Sequence, residues 1–309
     1  MPRIYVIGAL VYDIVFDVPD WVAPNQAVHA SQVTLSPGGK ALNQATAARR
    51  LGAEDVRLVG CVGADVFGAE MLAALRREGV NVDRVRQLRS SRTSIAGIIV
   101  KDSLPGFIGA PSASRVVSDD HIRQALADLG EGDILLLDFE IPQPQVLFAL
   151  RLGRAAGAIT VLNPAPFFAR DAFVIDYLRL VDVIIPNKLE AQLILDSESG
   201  DVDELASGLL RHGIGTVVLT IGEAGSILYQ DACRAEQPAF KLAAVDTTGA
   251  SDAFVGAYCH GLSQGWPVRK TLAFASAAAG LACTRRGTMT SLPSLDEVQA
   301  LTASRRTCN

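Results

Sequence analysis

Short runs of Ile, Val and Leu recur along the chain, apolar almost throughout rather than at alternate positions: Ile4–Ile7, Val56–Val59, Ile134–Leu137, Ile159–Leu162, Val181–Ile185 and Val217–Ile221. Strands of this kind are covered on both faces, as in parallel sheets. Between them lie stretches rich in Ala, Leu and Arg with helical spacing, at Ala41–Leu51, Ala69–Glu78, Gln145–Ala156 and Val202–Arg211. Gly52, Gly79, Gly157 and Gly213 sit just past these helices, where a left-handed residue ends a helix. Strand–helix alternation predicts an α/β fold, a doubly wound and mostly parallel sheet flanked by helices. Asp13–Pro37 and Thr93–Val117 break the rhythm: Ile95–Val100 alternates, and Asp102-Ser103 and Pro105-Gly106 read as turns. Both segments are too short to be domains. They predict a small β-sheet lid, residues about 13–37 and 93–117, over the ligand end of a single domain spanning 1–309. One last helix, Leu295–Leu301, and a basic tail close the chain.

Composition narrows the function. With 309 residues, 49% apolar and 20% charged, the chain is long enough for a large core. Its formal charge of 28 − 33 = −5 argues against a nucleic-acid partner. Five cysteines without a C-x-x-C pair read as reduced thiols rather than a zinc site. The apolar N-terminus is soon interrupted by Asp13 and Asp17, and no run reaches the roughly 20 residues of a bilayer span. A cytoplasmic protein without a membrane partner is expected.

The chemistry concentrates in Asp246-Thr247-Thr248-Gly249-Ala250-Ser251-Asp252-Ala253-Phe254, where small residues open an apolar helical run. The free backbone N–H groups of such a turn suit phosphate oxygens. By position alone, a carboxylate at Asp252 more often complements the helix dipole. It also stands where a base would take a proton from an acceptor hydroxyl. Gly38-Gly39 permits close backbone approach to a polyhydroxy ligand, and Asn43 in the next turn can both donate and accept. Asn187 and Glu190, three apart, share a face if a helix begins there, and fit either a cap or a magnesium site. Gly222 and Gly225 fit either a nucleotide-binding turn or a plain hairpin. Lys40 is not a P-loop lysine, because no G-x-x-x-x-G-K-[ST] is present.

Taken in order, these motifs resemble those of the ribokinase-like (PfkB) carbohydrate kinases across essentially the whole chain. Asp-Thr-Thr-Gly-Ala-Ser-Asp is similar to their D-T-T-G-A-G-D, which implies Asp252 as catalytic base and Gly249, Ala250 and Ser251 as the anion hole. Gly38-Gly39-Lys40-Ala41-Leu42-Asn43 resembles their sugar-binding turn. Asp13 and Glu140 fall where the family has substrate-side carboxylates. Asn163-Pro164-Ala165-Pro166 resembles their N-P-A-P. Asn187 and Glu190 resemble their N-x-x-E, implying ATP and magnesium, with Thr220, Gly222 and Gly225 beside the nucleotide. Asp246, Thr248, Ala282, Arg285, Gly287 and Ser291 match the loop that implies a bound monovalent cation such as K+.

Three departures stand out. Ser251 replaces a Gly, Ala41-Leu42 differ from the family turn, and Val11 stands where ribokinases carry Asn. Val11 cannot hydrogen-bond, so the pocket has one polar contact fewer. The resemblance implies an ATP-dependent kinase acting on a ribose- or fructose-like hydroxyl. Val11 and the apolar segment Leu104–Ala110 keep a nucleoside or pseudouridine acceptor open, and Ser251 leaves a catalytically silent sugar sensor as a third reading. An exposed lid edge suits a homodimer.

Overall fold

The computed structural model describes residues 2–102, 104–166, 175–231 and 233–306, which leaves Ser103 of the expected turn and Cys308 outside the described residues. In chain order the strands are β1 (Ile4–Ile7), β2 (Val11–Asp17), β3 (Gln32–Gly38), β4 (Val56–Gly63), β5 (Asn81–Leu88), β6 (Ser94–Lys101) and β7 (Leu104–Ala110). There follow β8 (Ile134–Leu137), β9 (Ile159–Leu162), β10 (Val183–Ile184), β11 (Thr216–Thr220), β12 (Ser226–Gln230) and β13 (Cys233–Gln237). The α-helices are α1 (Lys40–Arg50), α2 (Val66–Arg77), α3 (Asp119–Ala125), α4 (Gln143–Ala156) and α5 (Lys188–Leu195). They continue with α6 (Val202–Arg211), α7 (Ala250–Ser263), α8 (Val268–Ala282) and α9 (Leu295–Arg306).

The main sheet runs β13-β12-β11-β10-β9-β8-β1-β4-β5. It is parallel from β11 to β5, and β12 and β13 add an antiparallel edge. Successive side chains of a strand face opposite ways. Ile4, Val6 and Leu136 therefore join one core with residues of α1, α7 and α8, while Tyr5, Ile7 and Leu137 join the other with residues of α4 and α6. This is why the central runs are apolar at every position. Gly52, Gly79, Gly157 and Gly213 all have positive φ, as the helix-end reading requires.

The two irregular segments form one separate sheet, β3-β2-β6-β7. Leu35, Phe107 and Ile108 are exposed on it. Its strands occupy less than the expected segments: Ala113–Val116 is a 3-10 turn, tied down where Ser94 Oγ accepts from the amides of Ser112 and Ser114. β5 has no counterpart in the apolar pattern, because an edge strand reading Asn-Val-Asp-Arg-Val-Arg-Gln-Leu buries only Val82 and Val85. The expected strand Val181–Ile185 shrinks to β10, since Asp182 turns its carboxylate onto the amide and hydroxyl of Thr160. α9 runs past Leu301 to Arg306. Arg50, at the end of α1, pairs with Glu78 and donates to the carbonyls of Met289 and Leu292.

One helix crossing positions the site. α1 and α7 approach so closely that a Cβ on Gly256 would lie 2.6 Å from both the Ala47 Cβ and the Gln44 carbonyl oxygen. Gly256→Leu is expected to destabilise the fold by about 2–3 kcal/mol or more, the usual cost of overpacking. Urea unfolding checks this, and an unchanged midpoint would show that the crossing is loose.

Candidate active site

The site lies beyond the carboxyl ends of β1, β8 and β9, where open parallel sheets present their ligand crevice. Gly38 closes β3 and Gly39 caps α1 at φ 93°, its Cα so near Ala9 O and Val11 N that a Cβ would sit 2.7–2.8 Å from them. Lys40, Asn43 and Gln44 then share one face of α1, at the i, i+3, i+4 spacing. α7 opens at Gly249 with no side-chain cap, so its first amides have no side-chain acceptor, and the Ala250 amide donates to Thr247 O at 3.2 Å. Gly249 is itself enclosed: a Cβ there would meet Ser291 Oγ at 2.6 Å and Thr288 O at 3.1 Å.

Asp252, in the first turn of α7, is only 4% exposed. Three side chains of α1 reach its carboxylate. Lys40 Nζ and Gln44 Nε2 lie 3.0 and 3.1 Å from Oδ1, and Asn43 Nδ2 lies 3.0 Å from Oδ2. A buried carboxylate must be paired, and these donors pair it. Glu140, past the end of β8, accepts from the Lys40 amide at 2.7 Å, and Asp138 Oδ1 accepts from the Glu140 amide. Asp13, on β2, accepts from the Thr288 hydroxyl at 3.3 Å and lies against Gly38, where a Cβ would meet its Oδ2 at 2.1 Å.

The electrostatics are those of several acids around one cation. Burial and the charge of Glu140 push Asp138 well above the usual carboxylate range. Glu140 is raised by burial against the opposing pull of Lys40. Asp13 is pushed up to about 6 by burial, with Thr288 opposing and Asp252 adding to the rise. Burial alone would lower the Lys40 ammonium, but the charges of Asp252 and Glu140 outweigh it and hold the group above its ordinary value.

Asn187 and Glu190 form a capping box at the start of α5: Asn187 Oδ1 accepts from the Glu190 amide and Glu190 Oε2 from the Asn187 amide, each at 2.8 Å. Asn187 also bridges to Thr220 at the end of β11. Burial raises the Glu190 carboxyl. Gly222 and Gly225 lie in the turn between β11 and β12, an antiparallel pair; a Cβ on Gly225 would meet Gln237 O at 2.1 Å, whereas Gly222 faces open space. In the last loop, Asp246 accepts from Thr248 through Oδ1 and from the Gly287 amide through Oδ2. Burial works against its charge, but these donors prevail and hold the carboxyl below its usual value. The Arg285 guanidinium turns away to Glu297, and Ala282 is buried in α8.

The structure thus gathers Asp252, Lys40, Asn43, Glu140 and Asp13 around one crevice, while Thr220, Gly222 and Gly225 stand apart on β11 and the turn after it. Gln44, Asp138 and Thr288 join the crevice without having been singled out in the sequence, and Asn163, noted there only within the N-P-A-P match, joins them. Gln44 had a usable signal, lying four residues after Lys40 on the same helical face. Thr288 had none, because only the tertiary fold brings it to Asp13.

Comparison with known proteins places this arrangement. The pattern of the pfkB family carbohydrate kinases matches residues 1–295. A ribokinase of Schizosaccharomyces pombe is 32% identical over 96% of this chain and 97% of its own. A deoxyribokinase of Salmonella typhimurium is 28% identical over 95% of this chain and 96% of its own. The structure of Arabidopsis thaliana ribokinase complexed with ribose and ATP superposes with a TM-score of 0.89 at 25% identity, covering 97% of this chain and 98% of that one.

Asp13 gives a pH signature. Its folded value of about 6 lies above the unfolded carboxyl value near 3.9, so the folded state binds the proton more tightly. The contribution is fully present below pH ~4 and lost as pH rises through about 6, on the order of 2–3 kcal/mol. Asp13→Asn should lose that much less stability between pH 4 and 7, measured by urea unfolding without ligand. Parallel curves for the two proteins would refute the assignment.

Proposed function

Given that the chain belongs to the pfkB family of carbohydrate kinases, we propose that it transfers the γ-phosphoryl group of ATP to a hydroxyl of a ribose- or fructose-like sugar, with Asp252 as general base. The observation that carries this reading is the Asp252 carboxylate, buried in the uncapped first turn of α7 and gripped by donors from α1. The acceptor hydroxyl gives its proton to Asp252 as its oxygen attacks the γ-phosphorus. The bond from that phosphorus to the bridging oxygen breaks, and ADP leaves. The amides of this turn, at Gly249, Ala250 and Ser251, stabilise charge on the moving phosphoryl group, with Ala250 exchanging its bond to Thr247 O for the phosphoryl oxygen.

Asp13 and Glu140 accept hydrogen bonds from sugar hydroxyls, Gly38 and Gly39 bring backbone alongside, and Lys40 offers the nearest positive charge to the phosphates. Asn43 spends Nδ2 on Asp252, while its Oδ1 is buried without a partner among the described residues, an acceptor suited to a sugar hydroxyl. The nucleotide lies across Asn187, Glu190, Thr220, Gly222 and Gly225.

The residues fit a hydrated magnesium ion: Asn187 Oδ1 is spent on its cap, whereas Glu190 commits only Oε2 and keeps an oxygen for a metal-bound water. Bound there, magnesium would neutralise charge on the ATP phosphates. Asp246, Thr248, Ala282, Arg285, Gly287 and Ser291 would hold a monovalent cation such as K+ in the last loop, where the oxygens of Asp246 and Thr248 suit such an ion and Asp246 already accepts from Thr248 and from the Gly287 amide. The small sheet closes over the sugar and excludes water that would hydrolyse ATP.

Val11 favours a second acceptor. A site that pairs hydroxyls rejects analogues lacking them, so removing one polar partner relaxes that rejection. A deoxypentose, the acceptor named for the Salmonella relative, or a nucleoside then fits as well as ribose. A panel of ribose, deoxyribose, fructose, nucleosides and pseudouridine, scored by ADP release, decides among them. Absence of turnover despite sugar binding would point to a silent sensor.

Asp252→Asn should lower phosphoryl transfer by about 10³-fold or more while ATP still binds, near the upper range for a lost general base. Turnover close to wild type would remove Asp252 from the role. Ser251→Gly is expected to keep or raise activity, and a large loss would show that the hydroxyl itself contributes.

A further inference from the structure

Asp252 is held asymmetrically, and the asymmetry traces back to a single backbone carbonyl. Ile185 O can only accept, so Asn163, 2.9 Å away, must turn its Nδ2 toward it. Asn163 Oδ1 then faces Gln44 and needs a donor, which directs Gln44 Nε2 toward it at 3.0 Å. The second N–H of that same nitrogen meets Asp252 Oδ1 at 3.1 Å. A flipped Gln44 amide would set its oxygen against two acceptors, so the orientation is fixed by its neighbours. It is kept at a cost: Gln44 is fully buried, and its Oε1 has no partner among the described residues.

We propose that Gln44, oriented by Asn163, is a positioning residue that together with Lys40 fills Oδ1 of Asp252 and leaves Oδ2 as the atom that receives the acceptor's proton. The inference rests on the reading of Asp252 as base. Lys40 and Gln44 occupy both lone-pair directions of Oδ1, whereas Asn43 occupies one of the two at Oδ2. The free direction at Oδ2 lies beside Asn43, already placed on the sugar side. Lys40 sits on a flexible side chain that can follow the phosphates. Gln44 is buried and doubly bonded, so it holds the carboxylate plane when Lys40 moves.

Two variants test this with the best acceptor from the panel. Gln44→Met keeps the volume and removes the donors. Its kcat should fall about 10- to 100-fold, the range for losing a hydrogen bond to a charged group, with both KM values within twofold. Gln44→Glu, nearly isosteric and facing Asp252, Lys40 and Asn163, can donate only while its carboxyl is protonated. Its kcat should therefore exceed that of Gln44→Met on the acid side and drop below it as pH rises, a crossing that a packing defect would not produce. If Gln44→Met does not fold, the pH profile of Gln44→Glu carries the test alone. A Gln44→Met kcat within twofold of wild type, or a Gln44→Glu profile without the pH-dependent loss, overturns the proposal. Asp252→Asn, assayed beside them, separates the two readings. If it stays active the base assignment fails first; if it is inactive and Gln44→Met is not impaired, only the role of Gln44 fails.

Discussion

A carboxylate with 4% exposure, buried where α7 begins, is the constraint around which the site is organised. Burying such a group without partners would cost several kcal/mol. Here the compensation comes from another helix, because α1 lies close enough to α7 for Lys40, Asn43 and Gln44 to reach Asp252 together. That closeness depends on Gly256, the point where the two backbones meet. The apolar packing of α1, α7 and α8 on the sheet thus fixes the geometry of the polar groups at one end of it.

Glycines serve the same end on the substrate side. Gly38 and Gly39 bring the β3–α1 turn against Asp13 and the β1–β2 connection, and Gly8 lets Asp138 lie where a side chain would otherwise stand, with a Cβ only 2.2 Å from its Oδ2. The crevice consequently holds four carboxyl groups near one lysine, and burial makes several of them reluctant to ionise. A protonated carboxyl can donate as well as accept, which widens the hydrogen bonding available to a hydroxyl-bearing ligand.

The fold was legible because each central strand is apolar on both faces and α1, α2, α4 and α6 each end at a glycine. What escaped was polar and tertiary. β5 is an edge strand whose outward Arg84 and Arg86 hide its period, and β10 shrank because Asp182 serves Thr160. At the site, Asp252 and its α7 turn could be read from small residues preceding an apolar run. The pairing of Asp252 with Gln44, and of Gln44 with Asn163, could not, since Gln44 lies 208 positions from Asp252 and 119 from Asn163. Asn187 and Glu190 show a different limit. Sequence spacing left a cap and a ligand site as alternatives; the structure forms the cap, and since the capping box leaves Glu190 an oxygen, it is compatible with the proposed ligand site.

The two readings of Asp252 are compatible in the same way. A carboxylate in the first turn of a helix complements the dipole, and on the proposed reading it also faces the phosphoryl group that the dipole attracts. Donors that compensate its charge would, if they filled both oxygens, leave nothing to receive a proton. The structure supplies three donors to four lone-pair directions, two on one oxygen and one on the other. Stabilising the buried charge and keeping it available to a hydroxyl are therefore compatible only because the donors are unevenly divided. On the proposed reading that division is held by the Gln44 amide, whose orientation Asn163 fixes, together with the Lys40 ammonium.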